Sequence, residues 1–344
     1  MSGLLTITSY GRGAGSARAR VFDWTRHLGL QHDHLEYVGS STAAASLLLS
    51  RSVSTVTAEL ALRSSGIAGR NVLLSRQASP LSNGAIESRI LSRASHGVYD
   101  FDDALDAATE GTFGRIWSKR RVWKASVTAA DTVIAGNDDL AERASRYADR
   151  VVVIPTCIEP EDYELKATFE TGLTPTAVWI GTPSTERYLL SISRELKLMN
   201  TLFGLRLRVI SSGNRSLGEL DEMVDRIQWT MEGFPDELAK ADFGIMPLDD
   251  TEWSRGKCAY KLLQYGAAGL PMIGSPVGAN SRVLELGDGL APTTSEAWAD
   301  AMESLLLETS SRREQRGRSG REAVRRYYSY SVWAELWKST VLST

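Results

Sequence analysis

Residues 4–30, LLTITSYGRGAGSARARVFDWTRHLGL, decide the class of fold because they contain a strand, a glycine turn and a helix in that order. The first seven letters form an apolar run that ends in small polar residues, as a buried strand does. Residues 17–30 then repeat apolar side chains at helical spacing. We interpret this stretch as the first strand and helix of a doubly wound parallel sheet.

The same alternation continues along the chain. Further buried strands are predicted at 71–76, 96–102 and 131–137, and then at 176–182, 205–213, 242–248 and 270–275. Residues 112–130 have the spacing of a helix. Two prolines, Pro155 and Pro160, and nearby acidic residues separate the two series of strands. The pattern predicts an α/β protein of two Rossmann-like domains, with a boundary near residue 158.

Composition excludes several classes of protein. The 344 residues suit two domains, and a net charge of −3 provides no general attraction for nucleic acid. Only two cysteines, Cys157 and Cys258, and four histidines occur, without metal-ligand spacing. No apolar run is long enough to cross a bilayer and no signal peptide is recognised, so we expect a cytoplasmic protein without metal or cofactor.

Two glycine- or hydroxyl-containing turns are candidate anion sites. After the first strand, Gly13 and Gly15 provide backbone N–H groups, and Arg18 follows on the helix. A flexible turn explains the same glycines equally well. After the strand at 176–182, Thr182 is a candidate helix cap, and Arg187 is a cation near a positive helix end. A bound anion would compensate that unfavourable charge.

A basic stretch, WSRGKCAYKLLQYGAAGLPMIGSPVG, occupies residues 253–278. A helix from Lys257 that ends at Gly269 would place Lys257 and Lys261 on one face, beside Tyr260 and Gln264. Two lysines on one face repel each other unless an anion lies between them. A solvated basic face is the alternative interpretation.

Three segments together resemble glycosyltransferase family 4, whose members are retaining, nucleotide-sugar-dependent enzymes of the GT-B fold. They are ADFGIMPL, RGKCAYKLLQYGAAGLPMIGSPVGA and REAVRRYYSYSVWAELW, and the resemblance is strong over about residues 150–337. VYDFDDAL and DTVIAGNDDLAERA extend it into the first half. The resemblance implies an acceptor-side domain at 1–157, a donor domain at 158–327 facing it across a cleft, and a helix at 328–344, with Trp333 and Trp337, that returns to the first domain.

The resemblance also implies a donor site. Gln264 stands where the family has a carboxylate on the ribose hydroxyls, and Glu252 is the nearest match to the family's first acid. Arg187 with Lys257 or Lys261 corresponds to the cations that hold the diphosphate. Trp229 occupies the place of the base pocket, although a core tryptophan is nearly as good an interpretation. The expected donor-binding residues are Gly181, Thr182, Trp229, Glu252, Tyr260 and Gln264.

On the acceptor side, Asp102 and Asp103 stand where the family usually has His-Asp, so the histidine is missing. The alternative is that Asp100, Asp102 and Asp103 cap the next helix. With the acceptor hydroxyl entering beside the leaving diphosphate, no protein base is required, and preplaced cations stabilise the leaving group without metal. The expected catalytic residues are Arg187, Lys257, Lys261, Asp102 and Asp103.

The expected partners are a nucleotide-sugar donor and a hydroxyl acceptor from a polysaccharide, a glycolipid or a secondary metabolite. Residues 115–124, RIWSKRRVWK, are either a solvated helix face or a contact with an anionic membrane surface at the inner face, where a lipid-linked acceptor would lie. Two other functions stay open. One is a sugar phosphorylase or sugar-phosphate synthase of the same fold, and the other is a catalytically silent nucleotide-binding or partner protein.

Overall fold

The computed structural model describes residues 3–37, 52–64, 66–108 and 118–342. The chain forms two compact units. Unit 1 comprises Met1–Cys157, Arg255–Cys258 and Tyr330–Thr344, and unit 2 comprises Ile158–Ser254 and Ala259–Ser329. A segment of four residues from the second half of the sequence therefore belongs to the first unit.

Unit 1 contains a parallel sheet of six strands. The strands are β1 Leu4–Thr8, β2 His32–Glu36, β3 Asn71–Ser75, β4 His96–Phe101, β5 Thr132–Ala135 and β6 Val151–Val153. Their spatial order is β2-β1-β3-β4-β5-β6. The strand order reverses between β1 and β3, and ligands of such sheets bind at the carboxyl ends of the strands at this switch point.

Helices connect and cover these strands. In chain order they are α1 Gly15–Ala17, a π-helical turn Arg18–Phe22, α2 Asp23–His27, α3 Ser52–Ser64, α4 Ala85–Arg93, α5 Lys119–Ala129, α6 Asp138–Ala144 and, from the end of the chain, Tyr330–Val341. Trp337 of the final helix stacks on Trp24 of α2, with ring centroids 5.3 Å apart. Both rings are buried, and they join the final helix to the core of unit 1.

Unit 2 contains a parallel sheet of five strands. They are β7 Thr176–Ile180, β8 Arg206–Ser211, β9 Val224–Gln228, β10 Phe243–Met246 and β11 Met272–Gly274, in the order β11-β10-β7-β8-β9. The helices are α7 Arg187–Leu190, α8 Ser193–Phe203, α9 Phe234–Ala239, α10 Glu252–Arg255, which runs one residue into unit 1, α11 Tyr260–Ala267, α12 Ala279–Leu286, α13 Ser295–Leu307 and α14 Ser310–Tyr327. With these labels the final helix, Tyr330–Val341, is α15.

The sequence predicted eight strands, and all eight are present. They are β1, β3, β4 and β5 in unit 1, and β7, β8, β10 and β11 in unit 2. The prediction missed β2, β6 and β9, which all lie at sheet edges. An edge strand has a neighbour on one side only, and polar sequences such as HDHLE and VDRIQ lack the continuous apolar run of a central strand.

Tyr265 of α11 fills the switch point of unit 2, between β7 and β10. These strands pair at Phe243 with Ala177 and at Gly244 with Val178. Further along, the Ile180 N–H donates to the Tyr265 hydroxyl oxygen at 3.2 Å, and that hydroxyl donates to the Ile245 carbonyl at 3.0 Å. The phenol thus bridges two strands where the direct ladder stops. Gly244 is required beneath it, because a Cβ there would overlap the ring.

Tyr265→Phe is expected to lower the free energy of unfolding by about 1 to 3 kcal/mol, because it leaves a buried N–H without its acceptor. Urea unfolding of the variant and the wild type measures the difference. Tyr147→Phe is the control, since Tyr147 is 40% exposed. Equal stability of Tyr265→Phe and the wild type would show that the phenol does not hold the strands.

In the ranges that the structure describes, no helix combines the length and the apolar character needed to cross a membrane.

Candidate active site

Lys261 lies across the carboxyl end of β7 in unit 2. Its ammonium is 5.3 Å from the centroid of the buried Trp179 ring. The next residue after β7 is Gly181, and a Cβ built there would be 2.9 Å from Lys261 Cε and 2.5 Å from the Trp179 ring. The absence of a side chain at Gly181 therefore makes room for the lysine. An aromatic face attracts a cation without adding a compensating negative charge.

Arg187, the first residue of α7, is held in a similar way. Its guanidinium lies 5.1 Å from the Tyr188 ring centroid, and Nη2 is 3.4 Å from the Tyr188 hydroxyl. That hydroxyl is 3.3 Å from Ser254 Oγ, which donates to Asp249 Oδ1 at 2.5 Å. The hydrogen bond to Tyr188 and the charges of Tyr188 and Asp249 raise the pKa of Arg187. Arg187 is thus an exposed, permanent cation on an ordered support.

Glu186 fixes the start of the same helix. It is 3% exposed, accepts a hydrogen bond from Ser211 Oγ at 2.6 Å and pairs with Arg226 at 3.1 Å. Ser211 ends β8 and Arg226 lies in β9, so a carboxylate next to Arg187 is tied to two strands. This arrangement sets the direction in which α7 leaves the sheet.

The other predicted donor residues differ in exposure. Thr182 is exposed, and its hydroxyl lies 3.1 Å from that of Ser184. Trp229 follows β9, is partly buried and stacks on Phe234. Glu252 is exposed at the first position of α10. Their roles at a nucleotide stay predictions.

Two predicted donor residues lie on α11. Tyr260 is its first residue and is partly buried against the core of unit 2. Gln264 is 3% exposed, and its Nε2 donates to the Tyr163 hydroxyl at 3.4 Å. The amide therefore has a protein partner, and its predicted contact with ribose is untested.

The predicted helix from Lys257 to Gly269 is wrong at its start. It begins at Tyr260, because Ala259 has a φ of 54° and breaks the helical path. Its end is correct, since Gly269 follows with a φ of 71°. Lys257 and Lys261 therefore do not share a helical face. Lys257 belongs to unit 1, whereas Lys261 belongs to unit 2.

The segment Arg255–Cys258 fits closely into unit 1. The Asn137 amide donates to the Arg255 carbonyl at 3.3 Å and to the Lys257 carbonyl at 3.1 Å. Gly256 lies against Ala104, where a Cβ would be 2.6 Å from the alanine side chain. Cys258 Sγ donates to the Asp102 carbonyl at 3.3 Å. These contacts explain why the segment leaves the helical path that its sequence suggests.

Asp102, Asp103, Arg76 and Lys257 form an ionic cluster at the carboxyl ends of β3 and β4. Arg76 Nη1 is 3.0 Å from Asp102 Oδ1 and 2.6 Å from Asp103 Oδ2. Lys257 Nζ is 3.5 Å from Asp103 Oδ1. Burial by itself would raise the pKa of Asp103, but Arg76 and Lys257 lower it below its ordinary value. Asp103 is therefore an anion at neutral pH.

Asp100, the third carboxylate of the same motif, is buried and has a different partner. Arg20 Nη2 is 2.6 Å from its Oδ2, and Arg20 Nη1 donates to the Ile154 carbonyl at 2.9 Å. Burial opposes the charge of Arg20, but Asp100 outweighs that effect and raises the pKa of the guanidinium. This ion pair joins the π-helical turn to β4.

The helix-capping alternative for the three aspartates is wrong. The short 3₁₀ turn that follows them, Leu105–Ala107, has Ala104 at its N-cap and no side-chain cap. Helix α5 is capped by Ser118. Each aspartate is instead paired with an arginine.

The N-terminal glycine loop contacts the cluster at one point. Ser16 Oγ accepts a hydrogen bond from Arg76 Nη1 at 2.9 Å. No described atom lies near the place of a Cβ at Gly13 or Gly15. Arg18 is buried, with its Nε 4.0 Å from Asp23. The structure does not test their predicted role in anion binding.

Only part of the basic stretch 115–124 can be described, because residues 115–117, including Trp117, lie outside the described ranges. From Ser118 onward it forms the start of α5. Arg120, Arg121 and Lys124 are exposed, whereas Trp123 is buried. The polar face of this helix is compatible with both interpretations given above.

Sequence reasoning missed three residues of these clusters, namely Arg76, Tyr188 and Asp249. Tyr188 follows the predicted site residue Arg187, and Asp249 follows a predicted strand. Nothing in the spacing of the two residues indicates that Ser254 links them by hydrogen bonds. Arg76 ends a predicted strand, and its φ of 64° is visible only in the structure. Among the described residues, no group of three His, Cys, Asp or Glu side chains is arranged to hold a metal ion.

Known proteins are similar to this chain in sequence and in structure. Residues 174–308 match the family model described as "Glycosyl transferases group 1". No curated protein matches the chain. Sucrose-phosphate synthase from Thermosynechococcus elongatus has a similar structure, with a TM-score of 0.72 and 14% identity over all of both chains.

Two further solved structures show the same fold. HepE from Anabaena, in complex with UDP and glucose, has a TM-score of 0.66 and 11% identity over all of both chains. A UDP-forming α,α-trehalose-phosphate synthase from Burkholderia vietnamiensis has a TM-score of 0.66 and 13% identity, over all of this chain and 97% of the other.

The chain has the GT-B fold, and its residues 174–308 match the glycosyltransferase family model. These residues include the strands β7 to β11 and the cations Arg187 and Lys261.

Gly181→Ala is expected to displace Lys261 and to weaken binding of a nucleoside diphosphate at least tenfold, because the new methyl group would overlap the buried Trp179 ring. It should also lower the free energy of unfolding by about 1 to 3 kcal/mol. Calorimetric titration with UDP and urea unfolding measure the two effects. Gly172→Ala is the control, because no atom lies within 4 Å of a Cβ there. An unchanged affinity of Gly181→Ala for UDP would show that Gly181 is not part of the nucleotide site.

Arg20→Met is expected to lower the free energy of unfolding by about 3 to 5 kcal/mol, because it leaves Asp100 as a buried charge without its counter-ion. The double variant Arg20→Met/Asp100→Leu should recover most of that loss. Thermal and urea unfolding of both variants provide the comparison. A double variant as unstable as the single one would mean that lost packing, rather than the uncompensated charge, sets the cost.

Proposed function

We propose that the enzyme transfers a sugar from a nucleotide-diphosphate sugar to an acceptor hydroxyl, with retention of anomeric configuration and without a metal ion. The observation that supports this proposal best is the placement of Lys261 and Arg187 in unit 2. Arg187 begins α7, the first helix after β7, and Lys261 of α11 lies beside Trp179 near the carboxyl end of β7, a strand at the switch point of the sheet. Ligands of doubly wound sheets bind at the carboxyl ends of the strands at this switch point.

The chemistry requires stabilisation of the leaving group. Breaking the bond between the sugar and the diphosphate leaves positive charge on the anomeric carbon and negative charge on the phosphate oxygens. Cations that are already in place stabilise this charge separation without reorganisation. In the proposal, Lys261 and Arg187 bind the diphosphate, while Gly181 and Thr182 provide close backbone approach at the turn.

The role of Lys257 differs from the roles proposed for Lys261 and Arg187. Its contact with Asp103 lies within unit 1, and the helix that was expected to align it with Lys261 begins after it. We retain its role at the diphosphate as a prediction, and we propose that it also holds Asp103 in place. The two functions are separable by measuring donor and acceptor kinetics in one variant.

On the acceptor side, the proposal assigns Asp102 and Asp103 to the acceptor hydroxyls. The lowered pKa of Asp103 makes it a poor general acid at neutral pH and a good hydrogen-bond acceptor. Retention with same-face attack needs no separate base, because a leaving phosphate oxygen accepts the proton of the acceptor hydroxyl. The missing histidine is compatible with that route.

We propose a UDP-sugar as the donor. HepE from Anabaena was solved with UDP and glucose, and the trehalose-phosphate synthase is described as UDP-forming. Trp229, at the carboxyl end of β9, is the proposed stacking partner of the base. The proposed acceptor is a cytoplasmic hydroxyl compound, and the exposed basic residues of α5 would favour a lipid-linked one at the inner membrane face.

The test begins with thermal-shift measurements against UDP, GDP, TDP and ADP, followed by mass spectrometry of hydrolysis of the matching nucleotide sugars. We expect UDP to stabilise the protein, because a ligand that binds only the folded state raises the melting temperature. Lys261→Met and Arg187→Gln are each expected to lower turnover about a hundredfold, as loss of one preorganised donor does. EDTA should leave the wild-type rate unchanged.

Controls come from exposed ion pairs of the same unit. Lys197 pairs with Glu219 at 2.8 Å and Arg282 with Glu285 at 2.7 Å. Lys197→Met and Arg282→Gln should retain wild-type rates. Wild-type turnover in both site variants would refute the assignment. Nucleotide binding without sugar release would favour the silent protein, and release of a sugar phosphate from a phosphate-dependent reaction would favour the phosphorylase.

A further inference from the structure

Arg76 has an unfavourable backbone conformation for a residue with a side chain. It follows β3 directly and has a φ of 64°. The left-handed region is unfavourable for an L-residue, and glycine would occupy it without that cost. Strain of this kind persists only where the surrounding structure imposes it, and it is concentrated at functional sites.

Strand β4 imposes the conformation. The Arg76 N–H donates to the Asp100 carbonyl at 2.8 Å. The Arg76 carbonyl accepts from the Tyr99 hydroxyl at 2.8 Å. Tyr99 is fully buried, so its hydroxyl is a fixed point. The peptide groups on both sides of Arg76 are thus held by the neighbouring strand, and the side chain is directed accordingly.

The guanidinium joins three segments that are distant in sequence. A single nitrogen, Nη1, contacts Ser16 Oγ at 2.9 Å in the loop after β1, and it contacts Asp102 at 3.0 Å and Asp103 at 2.6 Å after β4. Arg76 itself follows β3 directly. These segments are the carboxyl ends of the strands at and beside the switch point of unit 1, where a ligand of this sheet would bind.

A purely structural role does not account for this cluster. The Arg20–Asp100 pair already joins β4 to the turn after β1, and both of its side chains are only 1% exposed. The Arg76 cluster is more accessible, with Asp102 and Asp103 side chains 11% and 20% exposed. Arg76 contacts only one oxygen of each carboxylate. The carboxylates are thus oriented where solvent, and hence an acceptor, reaches them.

We propose that Arg76 is a positioning residue for the acceptor, which holds Asp102 and Asp103 side by side so that they accept hydrogen bonds from two hydroxyls of one sugar or polyol. This inference rests on the proposed function. Two adjacent carboxylates repel each other, and without a shared cation one of them would bind a proton. A protonated pair would lose an acceptor for one of the two hydroxyls.

The charged groups around Asp103 set the direction of the pH effect. Besides Arg76, they are Lys257 at 3.5 Å, the neighbouring Asp102, and Lys119 of α5, whose own pKa is lowered by burial and by Arg76. Removing Arg76 takes away the closest positive charge, so the pKa of Asp103 must rise. Loss of the ionised form then begins at a higher pH than in the wild type.

The first test reads the carboxylates directly and needs no substrate. Aspartate labelled with ¹³C at the carboxyl carbon is followed by NMR between pH 4.5 and 8 in the full chain, with Asp103→Asn to assign the signal. We expect no titration of Asp103 in the wild type, and in Arg76→Gln a midpoint raised by about 1 to 3 pH units into this range. Arg76→Lys should keep the carboxylate ionised. An Asp103 signal that titrates alike in the wild type and Arg76→Gln overturns the inference.

The second test uses a sugar or polyol that accepts the sugar from the donor identified by the hydrolysis measurements. Arg76→Gln is expected to raise KM for the acceptor at least tenfold, with KM for the UDP-sugar within twofold of the wild type, and to move the acid limb of the rate profile to higher pH. Arg76→Lys should restore the acid limb but not the acceptor KM, because an ammonium lacks the planar fork of arginine.

Arg70→Gln is the matched control, since Arg70 precedes the same strand and pairs with Asp33 at 2.6 Å at the opposite edge of the sheet. It should leave both KM values unchanged. Equal increases of the donor and acceptor KM in Arg76→Gln would indicate general distortion and overturn the positioning role. If no donor is turned over by the wild type, the proposed function fails, while the NMR titration still decides whether Arg76 controls the carboxylates.

Discussion

The Tyr265 hydroxyl is the contact on which the architecture of unit 2 depends. A parallel sheet satisfies its backbone groups by pairing neighbouring strands, yet a ligand crevice requires two strands to separate at their carboxyl ends. In unit 2 the phenol takes over the missing hydrogen bonds between β7 and β10. The strands can therefore diverge without leaving buried N–H or C=O groups unsatisfied. Gly244 beneath the ring provides the space that this solution needs.

The two units hold their cations in contrasting ways. In unit 1, Arg20 and Arg76 lie against carboxylates, and the result is a set of ordered anions with fixed orientation. In unit 2, Lys261 and Arg187 lie on the faces of Trp179 and Tyr188. An aromatic face attracts a cation through the electrostatic field of the ring rather than through a formal negative charge. The contrast corresponds to the chemistry proposed for each unit, hydroxyl recognition in one and leaving-group stabilisation in the other.

Local chain geometry makes this contrast possible at two positions with positive φ. Ala259, with a φ of 54°, breaks the helical path between the segment Arg255–Cys258 and α11. Lys257 and Lys261, although only four residues apart in sequence, therefore belong to different units. Arg76, at 64°, directs a guanidinium toward the carboxylates after β4. Each conformation is unfavourable alone and is imposed by packing, by Gly256 and Asn137 in the first case and by Tyr99 and Asp100 in the second.

The sequence by itself determined the α/β class, the eight strands with apolar runs, the end of α11 at Gly269 and the resemblance to glycosyltransferases, because each depends on local composition or on short motifs. It could not reveal the edge strands β2 and β9, whose polar sequences carry no burial signal, or the short edge strand β6. Nor could it reveal the start of α11, which is set by contacts of residues 255–258 with unit 1. It also could not pair Arg76 with Asp102 and Asp103, or Tyr188 with Ser254. Those pairings join segments that only the folded sheets bring together, and hydrogen bonds across such distances in sequence leave no periodic trace in the chain.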